Sequence, residues 1–189
     1  QLGTSSEDVG YGVAVDSDEN IFVTGITYGV LGDNSSGSSD IFLVKYDDDG
    51  IKQWTKQLGT ASEDVAYGLT VDTSSPSHIY VTGYTKGNPW DLTGNPDNES
   101  NSGNTDAFLL NYYDNSTLGP YLYWTVLLGT SSAEVGRSVT LDSSNYLYLT
   151  GDNSSTSGDY DAFLAKYSSS GSGPSSPTWI RYMSTSSGE

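Results

Sequence analysis

The chain has no cysteine, one histidine, one methionine, and only 7 lysines and arginines against 24 aspartates and glutamates in 189 residues. Without thiols there is neither a disulfide nor a thiolate metal centre to hold the fold. A lone His78 makes neither a transition-metal site nor a serine–histidine dyad, so it is read as structural. The net charge of −17 and a pI near 4.1 exclude nucleic acid and anionic membrane surfaces as partners, since each phosphate contact needs a cation. Divalent cations, basic proteins and neutral glycans stay open. No apolar run approaches the roughly 20 residues of a membrane-crossing helix, so no membrane insertion is expected. Gln1 falls inside a repeat and not at a signal peptide, which predicts a processed or excised piece of a longer polypeptide.

What the chain does contain is tyrosine, 15 against 4 phenylalanines, and 22 glycines among many Ser, Thr, Asn and Asp residues. That mixture suits short strands joined by turns and gives no support to helices. The organising stretch is Asp40-Ile41-Phe42-Leu43-Val44-Lys45-Tyr46, which returns as Asp106–Tyr112 and as Asp161–Tyr167. Three other signatures recur around it in fixed order. Gln1-Leu2-Gly3-Thr4 returns at Gln57 and Leu127; Val13-Ala14-Val15-Asp16 returns as 69–72 and 139–142. Ile21-Phe22-Val23-Thr24-Gly25 returns as 79–83 and 147–151, and Trp54, Trp124 and Trp179 open the last segment of each unit.

A period of about 50 residues holding four short strands predicts all-β architecture, each unit being one β-propeller blade packed face to face on its neighbours. With strands A to D counted outward from the axis, A is expected at 9–16, 65–72 and 135–142, and B at 20–27, 78–85 and 146–151. C is expected at 40–46, 106–112 and 161–167, and D at 51–58, 121–128 and 178–183. Strands B and C read as nearly continuous apolar runs because both faces are covered; D is more polar, as an outer edge should be. The units are blade one at 1–60, blade two at 61–130 with a long B–C insertion at 86–104, and blade three at 131–185. Residues 186–189 begin a further repeat.

Blocks such as Asp8-Val9-Gly10-Tyr11-Gly12-Val13-Ala14-Val15-Asp16, then Asn20–Gly25, then Asp40–Tyr46 with Gly50 ahead of Trp54, resemble the SBBP-type β-propeller repeat of secreted and cell-surface proteins. The resemblance spans nearly the whole chain and recurs three times. It implies an extracellular or surface-displayed scaffold or adhesion module, and it brings no catalytic residues. Unit three departs most, with Glu134 for the first acid and Arg137-Ser138 for the Tyr-Gly pair. Three blades cannot close a ring with normal sheet packing. Further blades, other protein chains or copies of the same chain are therefore expected on the open faces.

Strands A and C run parallel in a blade, which sets Asp8 near Asp40, Asp64 near Asp106 and Glu134 near Asp161. Paired carboxylates could hold Ca²⁺ or act as an acid/base pair. The alternative is that each acid accepts hydrogen bonds from its own connection and fixes a turn, which repetition in every blade favours. Asp16, Asp72 and Asp142 read as Asx-type turns into strand B. Asp47-Asp48-Asp49-Gly50 resembles the Asp-box of sialidase propellers, yet Trp54 stands one residue too late, and a solvated hairpin turn is the better account. The three repeated tryptophans are expected between blades. Trp90, with Asp91 in the long insertion, is the candidate for stacking on a sugar or a partner. Sequons at Asn34, Asn98, Asn115 and Asn153 all fall in predicted loops, three of them B–C loops, as in a glycosylated surface protein.

No nucleophile–base pair, phosphate loop or cofactor signature is present. The sequence reading is a non-catalytic structural or adhesive module. A lectin-like propeller is the alternative, and a glycoside hydrolase or lyase working through rim carboxylates ranks below it.

Overall fold

The computed structural model describes residues 2–32, 37–87, 105–115, 117–154, 160–170, 173–174 and 176–183. Twelve strands follow one another, with no helix among the described residues: β1 (Asp8–Val15), β2 (Ile21–Thr27), β3 (Asp40–Tyr46), β4 (Lys52–Leu58), β5 (Asp64–Val71), β6 (His78–Thr85), β7 (Asp106–Tyr113), β8 (Tyr121–Leu128), β9 (Ala133–Leu141), β10 (Tyr146–Ser154), β11 (Tyr160–Ser168) and β12 (Trp179–Met183). They form three separate four-stranded antiparallel sheets, ordered β1-β2-β3-β4, β5-β6-β7-β8 and β9-β10-β11-β12. These are propeller blades, and three of them make a partial propeller.

The Thr-Gly step of strand B explains its own recurrence. Thr24, Thr82 and Thr150 each donate a hydroxyl to the carbonyl of a strand-C phenylalanine, Phe42, Phe108 and Phe163, at 2.7, 2.8 and 2.9 Å. At the next residue the backbone of strand A comes so close that a side chain cannot fit. A methyl group on Gly83 would collide with the carbonyl oxygen of Val65 and the Phe108 ring, and Gly25 and Gly151 repeat the geometry. The A–B ladder shifts register beside each of these glycines, the bulge that a close approach of two backbones produces.

Two-sided burial follows from the stacking of sheets. Phe22, Ile41 and Leu43 of the first blade interlock with Ile79, Val81, Phe108, Leu110 and Tyr112 of the second, with Trp54 against them. The other face of the second blade, carrying Tyr80, Ala107, Leu109 and Trp124, meets Leu147, Leu149, Phe163, Ala165 and Tyr167 of the third. Strands alternate sides residue by residue, so one apolar run serves two seams. The A strands touch along the inner edge, β1 against β5 and β5 against β9.

Strand β10 runs three residues beyond its expected end at 151. Asp152, Asn153 and Ser154 pair with β9 on one side and β11 on the other. Asn153 therefore lies in a strand and not in the loop expected of it.

Candidate interaction site at the blade seams

Each strand A ends in an aspartate that closes the turn into strand B. Asp16 Oδ1 accepts from the backbone of Asp18 and Asn20, Asp72 Oδ1 from Ser74 and His78, and Asp142 Oδ1 from Ser144 and Tyr146. Burial pushes the Asp16 carboxyl up, but the bonds from Asn20, Ser77 and Asp18 outweigh it and hold the group below the ordinary carboxylate value. Ser77 of the second blade reaches Asp16 across the first seam at 2.9 Å.

The same corner carries the seam's charged contact. Lys45 Nζ lies 2.6 Å from Asp114 Oδ2, and the indole N–H of Trp54 donates to Asp114 Oδ1 at 3.0 Å. A cation and an aromatic from one blade thus grip one carboxylate of the next. At the second seam the corresponding residues, by strand register, are Asn111, Trp124 and Ser169. At this corner lies an open cleft of about 230 Å³ lined by Asp72, His78, Tyr80, Tyr123, Asn145, Ser169 and Ser170. His78 shares a hydrogen bond with Asn111 Oδ1 at 3.0 Å and sits among the rings of Tyr80, Tyr113 and Tyr123. Burial pushes the Tyr80 phenol up to about 12.

The rim acids stand in one row on each blade. Strand B lies between A and C, so Asp8 and Asp40 both face Thr27, and Asp64 and Asp106 both face Thr85. The carboxylate brought up to Asp64 is Asp40 of the preceding blade, because Asp64 N–H bonds the Ser39 carbonyl across the seam. Glu134 N–H bonds Thr105 in the same way, next to Asp106. Asp161, at the start of the third blade's strand C, faces Asn153.

These acids are held by donors. Asp8 accepts from Thr4 N–H, Thr4 hydroxyl and Thr27 hydroxyl; Asp64 accepts from Thr60 N–H at 2.6 Å and its hydroxyl at 2.9 Å. Glu134 takes Thr130 N–H, Thr130 hydroxyl and Asn153 Nδ2, and Asp40 takes Gln57 Nε2 at 2.7 Å. For Asp8 the bonds outweigh burial and lower the pKa. For Asp64 burial, with the charge of Asp40 added, raises it against the pull of Thr85 and Thr60. Several of these carboxylate oxygens face N–H and O–H groups, and among the described residues no three His, Asp or Glu side chains stand together as a metal site would need.

The departure at Arg137 has a structural reason. Tyr11, Tyr67 and Arg137 occupy one position on successive A strands. Tyr11 meets Tyr67 at 5.1 Å, and the Arg137 guanidinium lies 4.8 Å from the Tyr67 centroid while its Nε pairs with Asp152 at 2.7 Å. Trp54 and Trp124 lie in the two seams, and Trp179 occupies the matching place on the far side of the third blade, half-buried against Tyr148.

Asn115 stands in the turn after β7, its Oδ1 accepting from Thr117 and Leu118 N–H. The Nδ2 of Asn153, the atom that a glycan would join, is bonded to Glu134. Trp90, Asp91, Asn34, Asn98 and residues 186–189 lie outside the described residues. The Lys45–Asp114–Trp54 contact escaped sequence reading, although Lys45 and Lys166 stand alike before the closing tyrosine of strand C.

These stacked sheets, with the same apolar positions closing each seam, define the class as β-propeller repeat proteins. The family model of the SBBP β-propeller repeat matches residues 1–32 and 53–90. An uncharacterized WD repeat-containing protein of Acanthamoeba polyphaga mimivirus is 30% identical, the match covering 80% of this chain and 13% of that protein. The regulatory protein FlaEY of Caulobacter vibrioides is 27% identical over 77% of this chain and 16% of its own length. The chain thus spans less than a fifth of either relative.

Proposed function

We propose that this chain is a non-catalytic, extracellular structural or adhesive module that holds protein partners through its blade faces, at a cell surface or in an extracellular filament. The observation that carries the reading is the row of exposed apolar side chains on strand A of the first blade, Tyr11, Val13 and Val15. Val13 is 67% exposed, whereas its counterparts Leu69 and Val139, packed in the two seams, are 9% and 5% exposed. On the far side, Tyr148, Leu164 and Trp179 hold the places that Tyr80, Leu109 and Trp124 fill in the second seam. Exposed apolar clusters of this character are partner surfaces. The resemblance to a repeat of secreted and cell-surface proteins supports placement outside the cell. Against catalysis stands the use of the rim acids as turn-fixing acceptors.

The test is site-specific photo-crosslinking in host surface extracts, with the probe at Val13, at Leu164 or at the exposed hairpin residue Ile51. Discrete protein adducts from Val13 and Leu164 and none from Ile51 are expected. Equal labelling from all three positions, or none, refutes the reading.

A further inference from the structure

We propose that the cleft at the second seam binds one ring of a neutral sugar, between aromatic side chains of the second blade and polar groups of the third. The site is separate from the exposed row on strand A of the first blade and stands or falls without it.

The two seams differ at one corner. In the first, Lys45 and Trp54, paired in register, both reach the Asp114 carboxylate, Nζ at 2.6 Å and the indole N–H at 3.0 Å. Asn111 and Trp124 are the same register pair at the second seam. Ser169 stands there in the place of Asp114, its backbone N–H bonded to Asn145 as that of Asp114 is to Ser77. Its side chain is too short to replace the carboxylate, and its hydroxyl donates to the Asn145 carbonyl at 2.7 Å. Two buried donors result. Asn111 is 0% exposed and Trp124 6%, and neither Asn111 Nδ2 nor Trp124 Nε1 has a hydrogen-bond partner among the described residues. Buried donors in folded proteins are normally matched by an acceptor, so this corner favours a ligand that brings an acceptor oxygen. The cleft of about 230 Å³ lies here, with Ser169 and His78, the partner of Asn111 Oδ1, on its walls.

The walls decide what carries that oxygen. Asp72 lines the same cleft; its Oδ1 is held by the Ser74 hydroxyl and the His78 N–H, which leaves Oδ2 to receive a ligand hydroxyl. A carboxylate wall in a chain of net charge −17 repels an anion, and unmatched N–H groups offer nothing to a cation. A neutral polyol suits both, since each hydroxyl donates and accepts. Rings supply the apolar half of the site. His78 stacks on Tyr80 at 6.3 Å and meets Tyr113 at 4.8 Å and Tyr123 at 5.6 Å. Tyr123 and Tyr121, 46% and 41% exposed, carry the row outward. Aromatic walls with a few placed polar groups are the usual make-up of a small-molecule site, and the C–H face of a sugar ring packs on them.

The fold does not require this row. In the repeat alignment His78, Tyr113 and Tyr123 become Asn20, Asp47 and Gln53 in the first blade, and Tyr146, Ser168 and Thr178 in the third. Residues that build every blade recur, as Gly83 and Phe108 do; these do not. A drug-sized site holds roughly 300–1,000 Å³, so a cleft of about 230 Å³ suits a single ring.

Titration of the intact 189-residue chain with glucose, galactose, mannose and N-acetylglucosamine, followed by amide and indole NMR, tests this. Saturable binding of at least one of these sugars in the millimolar range is expected. The Trp124 indole N–H resonance, assigned through Trp124→Phe, should move as it gains an acceptor, while that of Trp54, already on Asp114, stays in place. Tyr123→Ala, and Asp72→Asn, which keeps the turn acceptor, should each raise the dissociation constant about tenfold or more. Tyr11→Ala on the inner edge should leave it unchanged, and melting curves check that the variants stay folded. Binding of none of these sugars, equal or tighter binding of glucuronate or trimethyl-lysine, or binding indifferent to Tyr123→Ala and Asp72→Asn overturns the site. None of these results alters the crosslinks expected from Val13, so the two proposals fail separately.

Discussion

Removing one carboxylate at the first seam provides a quantitative test of what holds two blades together. Lys45 and Asp114 side chains are 16% and 10% exposed, so neither charge is well solvated. Asp114→Ala strands the ammonium without a counter-charge and the Trp54 indole N–H without an acceptor. Breaking a fully buried pair costs about 3–5 kcal/mol and an exposed one about 0–1 kcal/mol. At this intermediate burial, with the indole bond also lost, about 2–3 kcal/mol is expected. For a chain of this size, each kcal/mol moves the midpoint by about 2–4 °C, so the melting temperature falls by about 4–12 °C. Urea unfolding followed by tryptophan fluorescence should show a lower midpoint with an unchanged slope. Adding Lys45→Met to Asp114→Ala should recover part of the loss, since the uncompensated cation is then gone. A loss below about 0.5 kcal/mol, or no recovery in the double variant, would refute the claim that this contact latches the seam.

Gly83→Ala forces a methyl group into the Val65 carbonyl and should cost about 1–3 kcal/mol or more in urea unfolding, while Gly50→Ala, with open space around it but a φ of 75°, should cost less. Asp16 has a lowered folded pKa, so its stabilisation is complete above the ordinary value of 3.8 and disappears as pH falls through the folded value; Asp16→Ala should cost about 1–2 kcal/mol at pH 7 and almost nothing at the acid end. Asp64 has the opposite sign. Its folded pKa is raised, so its contribution is complete below 3.8 and lost as pH rises through the raised value, and carboxyl-carbon NMR should show it titrating after Asp16 as pH increases. Arg137→Ala removes a stacked guanidinium and a partly exposed ion pair and should lower stability by about 1 kcal/mol, measured by thermal melting. With the rim acids acting as turn acceptors, a chelator should leave the melting temperature unchanged, and a fall on chelation would refute that role.

The fold was legible because the repeat imposes its period three times over. One mismatch, such as Arg137 where Tyr11 and Tyr67 stand, could not hide the alignment of Thr24, Thr82 and Thr150 or of the glycines behind them. The rim was legible only in kind. Asp8, Asp64 and Glu134 could be recognised as one position, but whether each meets an acid of its own blade or of the next depends on how sheets stack, and Asp40 lies across a seam from Asp64. The Lys45–Asp114 latch was out of reach for a different reason. Its halves are 69 residues apart, and Asn111 and Ser169 break the pattern at the second seam, so no repeat advertised it.

Lys45 and Arg137 are spent at or beside the internal seams, while most of the 24 acidic residues repel one another across water. Seawater-like ionic strength shortens the reach of that repulsion to within about one Debye length, yet it barely touches a latch that is largely closed to ions. The propeller should therefore gain cohesion as its surroundings become saltier, a habit that favours brine over fresh water.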